Sequence, residues 1–206
     1  MRRYVAGIIG LALFAVPACS SGEDPAGAGS SPAPSAVNGT AVPARATLTQ
    51  PSLQPPAQDG RNVNKDRPDV VFDPCTWISD ETIREAGFDP ATRERGDDWL
   101  AEWTFLVCGF ESEEITLSVM SGNVTLEEET EKNGSWQRPI SVNGREATIG
   151  REPDRGDSCT INMRTAAGVV FVDQLLRLEG RTRGIDPCTN IEKTAALIER
   201  EIGEGN

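Results

Sequence analysis

The tetrapeptide Asp-Pro-Cys-Thr occurs twice in this chain, at 73–76 and at 186–189, and each copy leads into a helix-like segment. Two further cysteines, Cys108 and Cys159, fall in strand-like segments between the copies. If all four pair, a sulfur at each helix start must meet a sulfur on a strand. Two connectivities satisfy this: Cys75–Cys108 with Cys159–Cys188, or Cys75–Cys159 with Cys108–Cys188. The first closes two loops of about 30 residues, each contributing roughly 3 kcal/mol on chain-entropy grounds. Its locality makes it the preferred pairing.

Disulfides need an oxidising compartment, and the N-terminus points to one. Met1-Arg2-Arg3 precedes an apolar, Gly- and Ala-rich run from Tyr4 to Val16, and Pro17-Ala18-Cys19 follows. This is the pattern of a bacterial lipoprotein leader, residues 1–18, cut before Cys19 with acyl chains such as palmitate added at the cysteine. An ordinary secretory signal and a short membrane anchor are the rival readings. The run covers about 13 residues against roughly 20 for a bilayer span, and Val16 and Ala18 at −3 and −1 favour lipidation. Two or more acyl chains hold stably, so the expected location is the outer face of the cell membrane, with the membrane itself a partner through the lipid. With Cys19 modified, Cys75, Cys108, Cys159 and Cys188 remain, an even number that suits two bridges. Zinc is disfavoured because these cysteines are widely spaced singletons and the chain has no histidine. No metal and no cofactor is expected.

Residues 19–68 read as the lipidated cysteine and a disordered Pro/Ser/Ala/Gly tether. They lack aromatic residues and have few large aliphatics, too little to offset ordering entropy. Residues 69–206 then form a single extracytoplasmic domain. From Asp69 onward there are 28 acidic against 14 basic residues, which argues against nucleic acid as a partner.

Within the domain, a short helix is expected over Asp80–Ala86, capped by Ser79 and ended by Gly87, with Ile78 and Ile83 as a hydrophobic staple. A longer helix is expected from about Pro187 to Ile202, with Thr189 and Glu192 as a capping box and an apolar stripe of Ile191, Ala195, Ile198 and Ile202. Between them the period changes to two. Ile115, Leu117 and Val119 alternate with polar residues, as do Cys159, Ile161 and Met163. Trp103 to Phe110 reads as a central strand, Val169 to Leu176 as a long one, and Asn143-Gly144 as a hairpin turn. The fold class is α+β, a mostly antiparallel sheet of about five or six strands with a helix near each end of the domain.

The leader, the tether, Asp73-Pro74-Cys75, the strand cysteines Cys108 and Cys159, and the helix beginning Pro187-Cys188 together resemble an actinobacterial family, domain of unknown function 3558, whose members are short secreted lipoproteins. The resemblance covers about residues 69–203. It implies an actinobacterial cell envelope and supports the local disulfide pairing, and it supplies no activity and no catalytic residues.

Catalytic constellations are hard to build from these residues. Histidine, the usual base of a hydrolase triad, is absent. Paired cysteines offer no thiolate, and Lys132 and Lys193 stand in no Ser-x-x-Lys setting. The chain therefore reads as no enzyme. The acidic runs at Glu111, Glu113, Glu114 and at Glu127–Glu129 with Glu131 lack the spacing of a calcium loop and read as solvated faces. Trp99 and Trp136 lie beside turn-like residues, and Trp136 is the better candidate for a partner contact. The function expected is a non-catalytic envelope domain that binds a protein or wall component, of unknown oligomeric state. The alternative is a carrier of a small apolar ligand or lipid.

Overall fold

A computed structural model describes residues 47–204 and Asn206. The leader, Cys19 and the expected tether up to residue 46 lie outside the described residues.

The elements run in chain order α1 (Pro74–Trp77), α2 (Asp80–Ala86), β1 (Asp89–Arg95), β2 (Trp99–Leu100), β3 (Thr104–Glu111), β4 (Ile115–Gly122), α3 (Leu126–Asn133), β5 (Gln137–Val142), β6 (Arg145–Gly150), β7 (Ser158–Arg164), β8 (Val169–Leu176), α4 (Leu178–Thr182) and α5 (Ile191–Ile202). One antiparallel sheet of eight strands has the order β1-β3-β4-β8-β7-β6-β5, with the short β2 paired to β3. The expected count of five or six strands is too low. β1 was missed because it is charged, with Arg93, Glu94 and Arg95 in its last three positions, and β2 because it is two residues long. The central position belongs to β8, while β3 lies beside the edge strand β1.

Side-chain alternation gives the sheet two faces. One turns Cys108, Phe110, Leu117, Val119, Ile161 and Val172 into a core closed by Ile83 of α2 and by Ile191, Ile198 and Ile202 of α5. Both bridges lie in this layer and have the local pairing, Cys75–Cys108 and Cys159–Cys188. Each fastens a segment carrying an Asp-Pro-Cys motif to a strand.

Local chemistry sets the boundaries. Ser79 Oγ accepts from Thr82 N at 3.1 Å, and Gly87, at φ 93°, closes α2 in the left-handed region. Asn143 and Gly144, at φ 51° and 90°, make the turn between β5 and β6. The expected start of the last helix at Pro187 is corrected to Ile191. Asn190 is left-handed at φ 61° and makes no side-chain cap, so residues 187–190 form a turn and the Thr189–Glu192 box is not made. With its side-chain amide assigned in the orientation that satisfies both of its atoms, Gln174, buried on β8, donates to Pro187 O and Thr189 O of that turn at 3.0 and 3.1 Å.

The two Asp-Pro-Cys motifs thus diverge. Asp73 caps α1, accepting from Thr76 N and Thr76 Oγ1 at 2.8 Å each. It also takes Arg95 Nη2 at 2.8 and 2.7 Å, and Arg95 Nη1 reaches Asp98 at 3.2 and 3.1 Å. These three side chains are only 4–11% exposed. Asp186 instead accepts from Cys188 N at 2.8 Å and pairs with Arg151 on the surface. Both contacts hold its carboxyl below the usual range, Cys188 N first.

The tether boundary also moves. Leu48 N donates to Thr76 O at 2.8 Å, and Leu53 is buried in the core. A polar network holds the segment that follows. Asn64 Nδ2 donates to Gln58 Oε1 and Asp69 Oδ1 at 2.9 and 2.8 Å, and Asn123 Nδ2 donates to Asn64 Oδ1 at 2.7 Å. Residues 48–68 therefore belong to the folded domain. They are fixed by hydrogen bonds that a count of apolar residues does not register.

Candidate functional site

The second face of the sheet carries no large helix. The connection from β4 to β5 crosses it, and α3 lies within that connection, touching β7. Its start is set by Thr125, which accepts from Glu128 N at 3.2 Å while Glu128 Oε2 accepts from Thr125 N at 2.8 Å. This capping box was legible as Thr-x-x-Glu, and the acidic run around it hid it. Leu126 at the first turn packs with Val169 and Phe171, closing one end of this face with a small apolar cluster to which Phe105 and Met120 add.

The rest is an open groove of about 860 Å³, within the roughly 300–1,000 Å³ of small-molecule sites. Strand register writes its floor row by row. Met120 on β4 faces Phe171 on β8, which faces Asn162 on β7. The next row is Ser118, Asp173 and Thr160, and the next is Thr116, Leu175 and Ser158. The polar row ends in glycine on both sides, at Gly109 and Gly150. An apolar row and a hydrogen-bonding row therefore lie side by side, with Phe105 and Phe171 in a tilted contact at 6.2 Å. Trp103 and Trp136 stand at the rim.

Asp173 is the unusual group. It is half-buried in the groove, and no ion pair to it occurs among the described residues. Burial pushes its carboxyl up to about 6. The Thr160 hydroxyl beside it and Arg155 at the rim work against that rise, and Glu129 and Glu152 add to it. Thr160 Oγ1 lies 3.0 Å from Asn162 Oδ1.

The acidic run on α3, expected as a solvated face, divides its work. Glu127 pairs with Arg164, which holds its carboxyl down at about 2. Glu128 takes Arg67 at both oxygens, 2.9 and 2.6 Å, and is likewise held at about 2, by Arg67 first and Thr125 N second. The same Arg67 guanidinium lies 5.5 Å from the Trp103 ring centroid, so the N-terminal segment braces one rim. Glu129 faces inward. Its Oε1 accepts from Asn133, Gln137 and Asn162 at 2.6, 3.2 and 3.4 Å, all neutral amides.

Of the tryptophans singled out by sequence, Trp136 is half-buried against the groove, whereas Trp99 is 60% exposed on β2 away from it. Sequence reasoning missed Ser118, Thr160 and Asp173. Each reads alone as a solvent-facing position of an alternating strand, and only register joins them. The four paired cysteines are structural and lie on the other face.

The family model described as a protein of unknown function (DUF3558) matches residues 14–201. No curated protein and no solved structure matches the chain.

Proposed function

The chain belongs to the DUF3558 family of proteins of unknown function, and we propose that it is a ligand-binding domain of the cell envelope, held at the outer face of the cell membrane by lipid on Cys19. The lipid anchor rests on the sequence pattern of residues 1–19. The binding role rests on the groove. A sheet face meant for packing is covered and apolar, and one meant for water is polar; this face sets Phe105, Met120 and Leu175, all half-buried, beside Ser118, Asp173 and Thr160 in a concavity of ligand size. That pairing of rows supports an amphipathic small molecule over a flat protein partner. It brings the carrier reading forward, with a polar group added to the apolar ligand.

Binding is non-catalytic in this proposal. Native mass spectrometry of the full chain, extracted from its host membrane, tests it. A bound small molecule that is lost in Met120→Ala and Trp136→Ala is expected. A chain that carries acyl groups at Cys19 and no further mass, in every extraction, refutes the groove reading.

A further inference from the structure

Resting on the groove reading above, we propose that the ligand carries a positively charged amine, seated over Asp173, on an apolar or aromatic body that lies along Met120, Phe105 and Phe171. Two carboxylates face the groove without a cation of their own. Asp173 has no ion pair among the described residues, and Glu129 is held only by neutral amides. The charged groups around them are accounted for. From α3, Glu128 is neutralised by Arg67 and Lys132 stands at the lining. From the segment before β7, Glu152 and Arg155 sit 3.8 Å apart, both largely exposed. From β4 and β7 come neutral side chains, Ser118 and Thr160 beside Asp173 and Asn162 against Glu129.

A ligand filling this groove removes the remaining water from Asp173. With a neutral ligand the carboxylate is left buried and uncompensated, which disfavours the complex. An ammonium reverses the sign, because it replaces water with an opposite charge in a low-dielectric site. The aromatic lining of Trp103, Phe105, Phe171 and Trp136 suits the same cation through ring faces. With Glu128 neutralised by Arg67 and Glu152 paired with Arg155, Asp173 and Glu129 stand against Lys132 alone, a balance complementary to a cation.

The experiment uses the full chain in phosphatidylcholine nanodiscs, followed by tryptophan fluorescence with empty discs subtracted. The probes are phenylbutylammonium, phenylbutanol and phenylbutanoate, alike in body and different in charge. Near neutral pH the cation is expected to bind about tenfold more tightly than the alcohol, and the anion weakest. Asp173→Asn should remove that preference and leave the alcohol bound as well or better. Acidification through about pH 6, where Asp173 takes up its proton, should weaken the cation and not the alcohol. If the alcohol binds as tightly as the cation and Asp173→Asn changes neither, the amine is wrong and the groove stands. If no probe binds, or binding ignores Met120→Ala, the groove reading falls and this inference with it.

Discussion

Replacing Asp173 by Asn should make the unliganded domain more stable near neutral pH and leave it unchanged in acid. The carboxyl moves from 3.8 to about 6 on folding, chiefly by burial. The folded state therefore keeps its proton to higher pH than the unfolded state does. Unfolding releases that proton between about pH 4 and pH 6, and stability falls as pH rises through this window. Below it both states are protonated and the residue contributes nothing; above it the full penalty of a desolvated carboxylate is present. Two pH units correspond to about 3 kcal/mol, and water in the groove reduces this to about 1–3 kcal/mol. Asn carries no charge at any pH, so the variant-minus-wild-type difference should climb from about zero near pH 4 to that plateau by about pH 7.5. Urea unfolding monitored by tryptophan fluorescence at four pH values, with equal m-values in both proteins, measures it. Glu127, Glu128 and Asp186 have lowered carboxyls and give the opposite slope, losing stability as pH falls through their folded values. They are common to both proteins and cancel. A difference that is flat with pH, or a variant less stable near neutrality, would refute the argument that this carboxylate is desolvated and uncompensated. A residue that weakens the empty protein and strengthens the liganded one is a mark of a functional site.

Arg95→Ala should cost about 3–5 kcal/mol, because it leaves Asp73 and Asp98 buried without their shared cation; an unfolding midpoint within error of wild type would contradict this. Replacing Cys159 and Cys188 together by Ala should lower stability by about 3–4 kcal/mol on loop entropy alone. In that variant, hydrogen exchange should show α5 opening before β3 and β4 do, and uniform exchange would count against a stapling role. Cys19→Ala should release the protein from the membrane fraction and remove the acyl mass from its N-terminus, and retention in that fraction would sink the lipid anchor.

Much of the helix-covered layer was legible from local chemistry. The alternation of Ile115, Leu117 and Val119 and of Cys159, Ile161 and Met163 marked β4 and β7. Ser79 and Gly87 bounded α2, Asn143-Gly144 marked a hairpin, and loop length selected the disulfide pairing. What escaped was stabilised by polar groups at long range. β1 is a charged strand whose Arg93 reaches Cys75 O and Asp80 and whose Arg95 reaches Asp73. Residues 48–68 are held by Asn64, Gln58 and Asn123 as well as by Leu53 in the core. The groove was the least legible part, since Ser118, Thr160 and Asp173 meet only through register across three strands. Trp136 could be singled out because a large aromatic beside a turn needs an explanation on its own, and the structure places it at the groove lining.

The sheet order has a further consequence for how this chain is made. β1–β4 and β5–β8 are consecutive in sequence and form two leaves of the sheet, joined within it where β4 pairs with β8. Cys75–Cys108 lies within the first leaf and Cys159–Cys188 within the second, so neither bridge crosses the seam. A chain delivered N-terminus first can oxidise its first half before the second has arrived, and no cysteine must wait for a partner from the other leaf. Ser118 and Asp173 face each other across that same seam. A molecule seated on them touches both leaves, so occupancy of the groove acts as a reversible clasp on a seam of the sheet that no disulfide spans.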